Sequence, residues 1–184
     1  MDTSTVIAQG RLVSLRTLTP GDMAWIGRWA EDSMMERLVG SDLLYAYRHL
    51  HGGRHTFFDA CTTDPTQIVF VVEALRAFSE PVGLIRLFSI HLLEGWAFLE
   101  TIIGDHRALR RGFGVEAGKL MLCYGMSVLG LRRVEAKVYG HNVLSANSLR
   151  RHGFHQEGVL RQAVVQDGST HDILIFSMLK SEFE

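Results

Sequence analysis

Residues 11–16 (Arg-Leu-Val-Ser-Leu-Arg) alternate polar and apolar, the period-two pattern of a half-buried strand. Thr19-Pro20-Gly21-Asp22 breaks that strand and opens a helix whose Met23, Trp25, Ile26 and Trp29 fall mostly on one face. Residues 33–63 hold several helix-compatible pieces punctuated by Gly40, Gly52 and Gly53, and their boundaries cannot be read from the pattern. Three apolar, β-branched runs follow at 67–73, 81–90 and 96–103, and their short connections predict an antiparallel meander. A polar loop, 104–111, leads to Gly112 and to a helix carrying Val115, Leu120, Leu122, Cys123, Met126 and Leu129, which ends near Gly130. Next come a strand at 134–139 and a short helix from about Ser145 to His152, stopped by Gly153-Phe154. Two strands, 158–166 and 171–179, then join through Asp167-Gly168, a hairpin signal. The prediction is an α/β (α+β) fold: a mixed, mostly antiparallel, twisted sheet of about six or seven strands with helices on both faces. No repeat or linker divides the chain, so residues 1–184 are expected to form a single domain.

The charge balance removes some partners. Nineteen Lys and Arg stand against twenty Asp and Glu, so no overall field draws the chain to nucleic acid or an anionic membrane. No apolar run approaches the ~18–20 residues of a membrane span. The first ten residues lack the basic and apolar regions of a secretory signal. The two cysteines make neither a disulfide framework nor a metal-binding CxxC, and Cys123 is expected to pack as a small hydrophobe. Together these features predict a cytoplasmic protein with reduced thiols and no metal.

The chemistry concentrates where Leu109-Arg110-Arg111-Gly112-Phe113-Gly114-Val115 opens a helix. Amides at a helix N-terminus carry partial positive charge and point at the preceding loop, which suits a pyrophosphate. Glycines admit phosphate oxygens where a Cβ would obstruct them, and Arg107, Arg110 and Arg111 add cationic side chains. The bland reading is a plain glycine-turn helix start. Gly112-x-Gly114-x-x-Ala117 also fits a dinucleotide fingerprint. However, a polar loop rather than a buried strand precedes it, too little chain follows, and the sheet before it is antiparallel.

A second constellation, Asn142-x-x-Ser145 followed by Leu149 and Gly153-Phe154, comes directly after a strand. With Gly112-x-Gly114 and Glu116-Ala117, it resembles the GCN5-related N-acetyltransferases, GNAT for short. Within that family the sequence is similar to the ribosomal-protein alanine N-acetyltransferase subgroup. Leu15-Arg16-x-Leu18 and Asp22 resemble that subgroup's opening; Gly158 to Arg161, Asp167-Gly168, His171-Asp172 and Ser177-Met-Leu resemble its closing hairpin.

The resemblance implies a GNAT fold, acetyl-CoA as co-substrate and an amine-bearing acceptor attacked directly in a ternary complex. A small-metabolite amine is the first choice, a protein N-terminus the second, and a non-catalytic acyl-CoA sensor the third; a homodimer is compatible with all three. It implies that CoA is held by Ile102, Ile103, Leu109, Arg110, Arg111, Gly112, Phe113, Gly114, Val115, Asn142, Ser145 and Arg151. Two departures stand out: Leu109 occupies the family's Arg or Gln position, and Leu149 replaces a tyrosine that serves many relatives as general acid. Ser145 becomes the implied acid for the leaving thiolate, although a serine there also suits a helix N-cap. Glu100, on the strand before the loop, is the candidate base, or else a carboxylate on a sheet face. Asn142 is expected to hold CoA or a water, or to cap the strand end. His106 and His141 are alternative bases, and His49, His51 and His55 lack the further ligands of a metal set.

Overall fold

The computed structural model describes residues 3–50 and 54–183. β1 (Val6–Gln9) and β2 (Val13–Thr17) form an antiparallel hairpin, so the alternating strand read from the sequence is the second arm of a pair. A 3-10 turn (Pro20–Asp22) enters α1 (Met23–Ala30), followed by α2 (Ser33–Val39), α3 (Asp42–His49) and α4 (Arg54–Thr63). Asp32 accepts hydrogen bonds from the Met34 and Met35 N–H groups and caps α2, while Ser41 accepts from the Leu44 N–H and caps α3. Between them Gly40, at φ 54°, terminates α2 in the left-handed conformation. These caps divide a stretch that the hydrophobic pattern left undivided.

β3 (Ile68–Ala74), β4 (Pro81–His91) and β5 (Trp96–Ile103) make the expected meander. After it come a 3-10 turn (His106–Ala108), α5 (Phe113–Cys123), a π-helical turn (Tyr124–Val128), β6 (Arg133–Tyr139), α6 (Val143–Arg151), β7 (His155–Gln166) and β8 (Ser169–Leu179). Asp167 and Gly168, at φ 50° and 74°, form the tight turn between the last two strands. The sheet has eight strands in the order β1-β2-β3-β4-β5-β6-β8-β7, and only the β5–β6 pair is parallel. The mixed sheet is therefore as expected, but the count of about six or seven strands is too low because β1 adds an edge.

Each face of the sheet has its own apolar layer. On one face Phe113, Ala117, Met121 and Leu122 of α5 and Ala146 of α6 pack against Ile85, Leu87, Ala97, Leu99 and Val134. On the other, Ile26 and Trp29 of α1, Met35 of α2 and Leu43 and Leu44 of α3 cover Val69, Val71, Leu84 and Ile102. Cys61 is buried in this second layer, whereas Cys123 is exposed, contrary to expectation. The inward face of α5 runs through Ala117, Met121 and Leu122, so Cys123 turns outward at the end of the helix. No helix among the described residues is long and apolar enough to cross a membrane.

Candidate active site

β5 and β6 pair only through Trp96–Arg133, Ala97–Val134 and Phe98–Glu135. Beyond these pairs the strands part and leave a wedge-shaped gap inside the sheet. The Gly104 N–H donates to Val82 O at 3.0 Å, and Ile102 pairs with Leu84, so even-numbered residues of β5 direct their backbone groups toward β4. By strand alternation the N–H and C=O groups of Thr101 and Ile103 face the gap, where no strand meets them. Ile103 therefore presents its backbone groups to the gap. Ile102 does not: its backbone is committed to β4 and its side chain to the core, so Thr101 takes that place on the gap.

The loop at the end of β5 is held in an unusual shape. Arg110 has φ 62° and Gly112 φ 83°, so two of three consecutive residues are left-handed. The Glu116 N–H closes the first turn of α5 onto Gly112 O. Among the described residues, the N–H groups of Arg110, Arg111, Gly112, Phe113, Gly114 and Val115 have no backbone acceptor. Unspent amides at a helix start form a cradle for an anion. Gly114 keeps this helix start against the gap: a Cβ there would lie 3.3 Å from Ile103 and 3.7 Å from Thr101. Leu109 is half-buried and contributes no charge.

Arg111 donates from Nε to Arg107 O, and Arg107 is paired with Asp105 at 2.6 Å; both guanidinium groups lie over the Phe78 ring. Arg110 is exposed and free of ion pairs among the described residues. Arg151 is in the last turn of α6, about 13 Å along that helix from its N-terminal end.

Glu116 fixes the cradle to the sheet edge. Its carboxylate accepts hydrogen bonds from the Arg11, Leu12 and Val13 N–H groups at 2.9, 2.6 and 2.8 Å, clamping the β1–β2 turn to α5. Partial burial opposes the charge, but the three N–H donors and nearby Arg11 outweigh it and hold the carboxyl below its usual range. Gly10 leaves room for this contact, since a Cβ there would lie 2.5 Å from the Glu116 carboxyl carbon. Sequence reading recognised Glu116 only as part of a motif, because its partners lie more than a hundred residues away.

At the other lip of the gap, Asn142 is buried and both ends of its amide are spoken for. Oδ1 accepts from the Ser145 N–H at 3.0 Å, and Nδ2 donates to Leu38 O at 2.6 Å. It caps α6 and ties it to α2, so the expected N-cap role of Ser145 and strand-cap role of Asn142 are both corrected. The correction also moves the start of α6 from Ser145 to Val143. The Ser145 hydroxyl, half-buried, makes no hydrogen bond among the described residues and is free to donate to a ligand.

Glu100 accepts from Arg86 Nε at 2.5 Å as its direct cross-strand partner, and both side chains are largely buried. Protonating Glu100 would leave Arg86 buried without its counter-charge, which disfavours a base role. A different pair, His106 Nε2 and Asp32 Oδ2 at 2.7 Å, joins the loop after β5 to the start of α2. Burial raises the Asp32 carboxyl, but the Met34 and Met35 N–H groups and His106 outweigh it and keep it below its ordinary value. His141 Nε2 contacts Arg37 O at 2.9 Å, and its ring lies 4.7 Å from that of His171. Of the earlier histidine run, His51 lies outside the described residues.

His152 links the two helices that flank the gap, since its Nε2 bonds to Val115 O in the first turn of α5. Burial pulls the imidazole below its ordinary value, against the opposing effect of carbonyls at Val115 and Ser148; Lys119 adds to the lowering. The unfolded chain therefore binds a proton near pH 6.5 while the folded one resists it, and stability is lost as pH falls below that value. Denaturant titrations at pH 7.5 and 5.5 should show a smaller loss in His152→Gln than in the parent; equal losses would assign the effect elsewhere.

With this geometry, the match of residues 12–155 to the acetyltransferase (GNAT) domain model is decisive. The chain belongs to the GNAT family. Among GNAT relatives, the uncharacterized N-acetyltransferase YoaA of Bacillus subtilis (strain 168) is 40% identical over 79 residues, covering 43% of this chain and 44% of the relative. The chain thus spans less than half the length of the first curated relatives it matches. The SPbeta prophage-derived uncharacterized N-acetyltransferase YokL of the same organism is 24% identical over 177 residues, covering 95% and 94% of the two chains. A spermidine N-acetyltransferase from Vibrio cholerae, solved in complex with CoA and spermine, shares the fold with a TM-score of 0.81. It is 22% identical, covering 93% of this chain and 97% of that one.

Proposed function

We propose that the protein is an acetyl-CoA-dependent N-acetyltransferase that acetylates a primary amine of a small metabolite. The observation that carries this reading is the gap itself: unpaired backbone groups of Thr101 and Ile103 next to six unspent amides at the start of α5. The cradle would take the pyrophosphate, and the thioester would enter the gap. In this scheme the amine nitrogen attacks the thioester carbon and a gap-facing N–H of β5 stabilises the oxyanion. The C–S bond then breaks and the Ser145 hydroxyl relays a proton to the thiolate, taking one from water as it gives its own. The amine proton leaves through the His106–Asp32 pair or water, with no enzyme-bound acyl intermediate. The two unpaired cysteines are in keeping with a reducing, cytoplasmic setting.

The likeness to the ribosomal-protein alanine acetyltransferase subgroup supports a protein N-terminus as the second acceptor class. The name of the Vibrio cholerae neighbour, a spermidine N-acetyltransferase crystallised with spermine, supports a small free amine as the first.

Calorimetric titration with acetyl-CoA, CoA and NAD tests the cofactor directly. Micromolar binding of acetyl-CoA and CoA with none of NAD is expected, and NAD binding alone would overturn the proposal. Ser145→Ala should lower kcat about 100-fold or more, in the range of a lost general acid, while the acetyl-CoA dissociation constant changes little. An unchanged kcat would remove Ser145 from the chemistry.

A further inference from the structure

A cleft of about 460 Å³ lies between α2, α3 and the β7–β8 hairpin. One of its walls is Tyr139, on the stretch of β6 that has already parted from β5, so the cleft and the gap share a strand segment. Tyr139 packs against the Gly40 turn: a Cβ at Gly40 would fall 1.9 Å from the phenol oxygen. Burial, then Asp42 and Glu36, push the Tyr139 phenol above its ordinary value, so it stays a protonated donor at neutral pH.

The charges lining the cleft are of both signs. Arg48 Nη2 pairs with Glu36 at 3.0 Å, but its Nε has no hydrogen-bond partner, so the guanidinium keeps donor capacity to spare. Arg37 lines this cleft and a neighbouring one, and it has no ion-pair partner among the described residues. Asp42 and Asp167 also line the cleft without ion-pair partners among those residues. Glu36, Asp42 and Asp167 set three carboxylates against two guanidinium groups, so a polycation would answer the carboxylates but leave Arg37 without an anionic partner. A simple monoamine would likewise leave Arg37 unanswered. A molecule with both an ammonium and a carboxylate answers both signs, because guanidinium and carboxylate match as paired hydrogen-bonding groups.

We infer that this cleft receives the acceptor and selects an amine that also carries a carboxylate, an amino-acid-like zwitterion, with Arg48 and Arg37 holding the carboxylate. The inference rests on the transferase reading above and narrows its acceptor.

The test is steady-state thiol release from acetyl-CoA with amines that differ only by the carboxylate: lysine against cadaverine, ornithine against putrescine and phenylalanine against phenethylamine, with spermidine alongside. At least one carboxylate-bearing member should exceed its partner about tenfold or more in kcat/KM. Arg48→Gln and Arg37→Gln should each narrow that ratio, mainly by raising KM for the amino acid. Arg37 is exposed, so its variant remains informative if loss of the Glu36 pair unsettles α2 in the Arg48 variant. Preference for cadaverine, putrescine or spermidine, or a ratio untouched by both variants, overturns the acceptor class and leaves the transferase reading intact. Retained acetyl-CoA binding with no thiol release for any amine overturns both.

Discussion

Glu116→Ala is expected to lower the thermal midpoint by roughly 6–12 °C and to weaken acetyl-CoA binding at the same time. The substitution strips three backbone N–H groups, at Arg11, Leu12 and Val13, of a charged acceptor. Hydrogen bonds to charged groups contribute about 1.5–3 kcal/mol each, but water replaces part of that on an exposed turn, leaving a net loss of about 3 kcal/mol. In a chain of this size 1 kcal/mol shifts the midpoint by about 2–4 °C. The pH dependence separates this clamp from general packing. Because the folded carboxyl is held below its usual range, its contribution is present at neutral pH and lost as pH falls through the folded value. The difference between parent and variant should therefore close on acidification. A gap that stays constant down to pH 3 would mean that lost packing, not the carboxylate, is responsible.

Gly112→Val is expected to raise the acetyl-CoA dissociation constant about 10- to 100-fold while leaving the circular dichroism spectrum unchanged. Gly112 sits at φ 83°, a conformation in which a β-branched side chain is strained by about 1–2 kcal/mol. A Cβ there would meet Leu12 at 3.4 Å, so steric exclusion by the protein is not the main obstacle. The loop can relieve the strain by turning its amides away from the cradle, and each 1.4 kcal/mol of binding energy lost is about tenfold in affinity. Titration calorimetry reads the result, and an unchanged affinity would show that the amides of this loop do not hold the ligand.

Much of the architecture was written in local pattern. The meander of β3, β4 and β5 announces itself through β-branched runs separated by short polar connections, and Asp167-Gly168 through its turn chemistry. The cradle was legible for the same reason, since Gly112 and Gly114 act within a few residues of themselves. What local pattern could not carry was any interaction made across the chain. Glu116 looks like an ordinary helix-surface carboxylate until β1 and β2 fold against it. Glu100 looks like a free base until Arg86, its partner on β4, is placed opposite. Asn142 displaced Ser145 as the cap because a two-residue shift in where a helix begins lies below the resolution of hydrophobic periodicity. The choice between Ile102 and Thr101 depends on which edge of β5 faces the gap, and sequence alternation fixes a side chain's face but not the direction of its backbone groups.

The parting of β5 from β6 has a practical consequence for handling the protein. It leaves two strand edges with bare hydrogen-bonding groups in the middle of a sheet rather than at its rim, where charge or proline usually guards such edges. A linear ligand with amide groups of its own, as the arm of CoA has, would cover that seam as a short extra strand. Without it, the seam is an invitation to foreign peptide segments. Preparations kept with CoA should consequently remain monodisperse on heating longer than ligand-free ones.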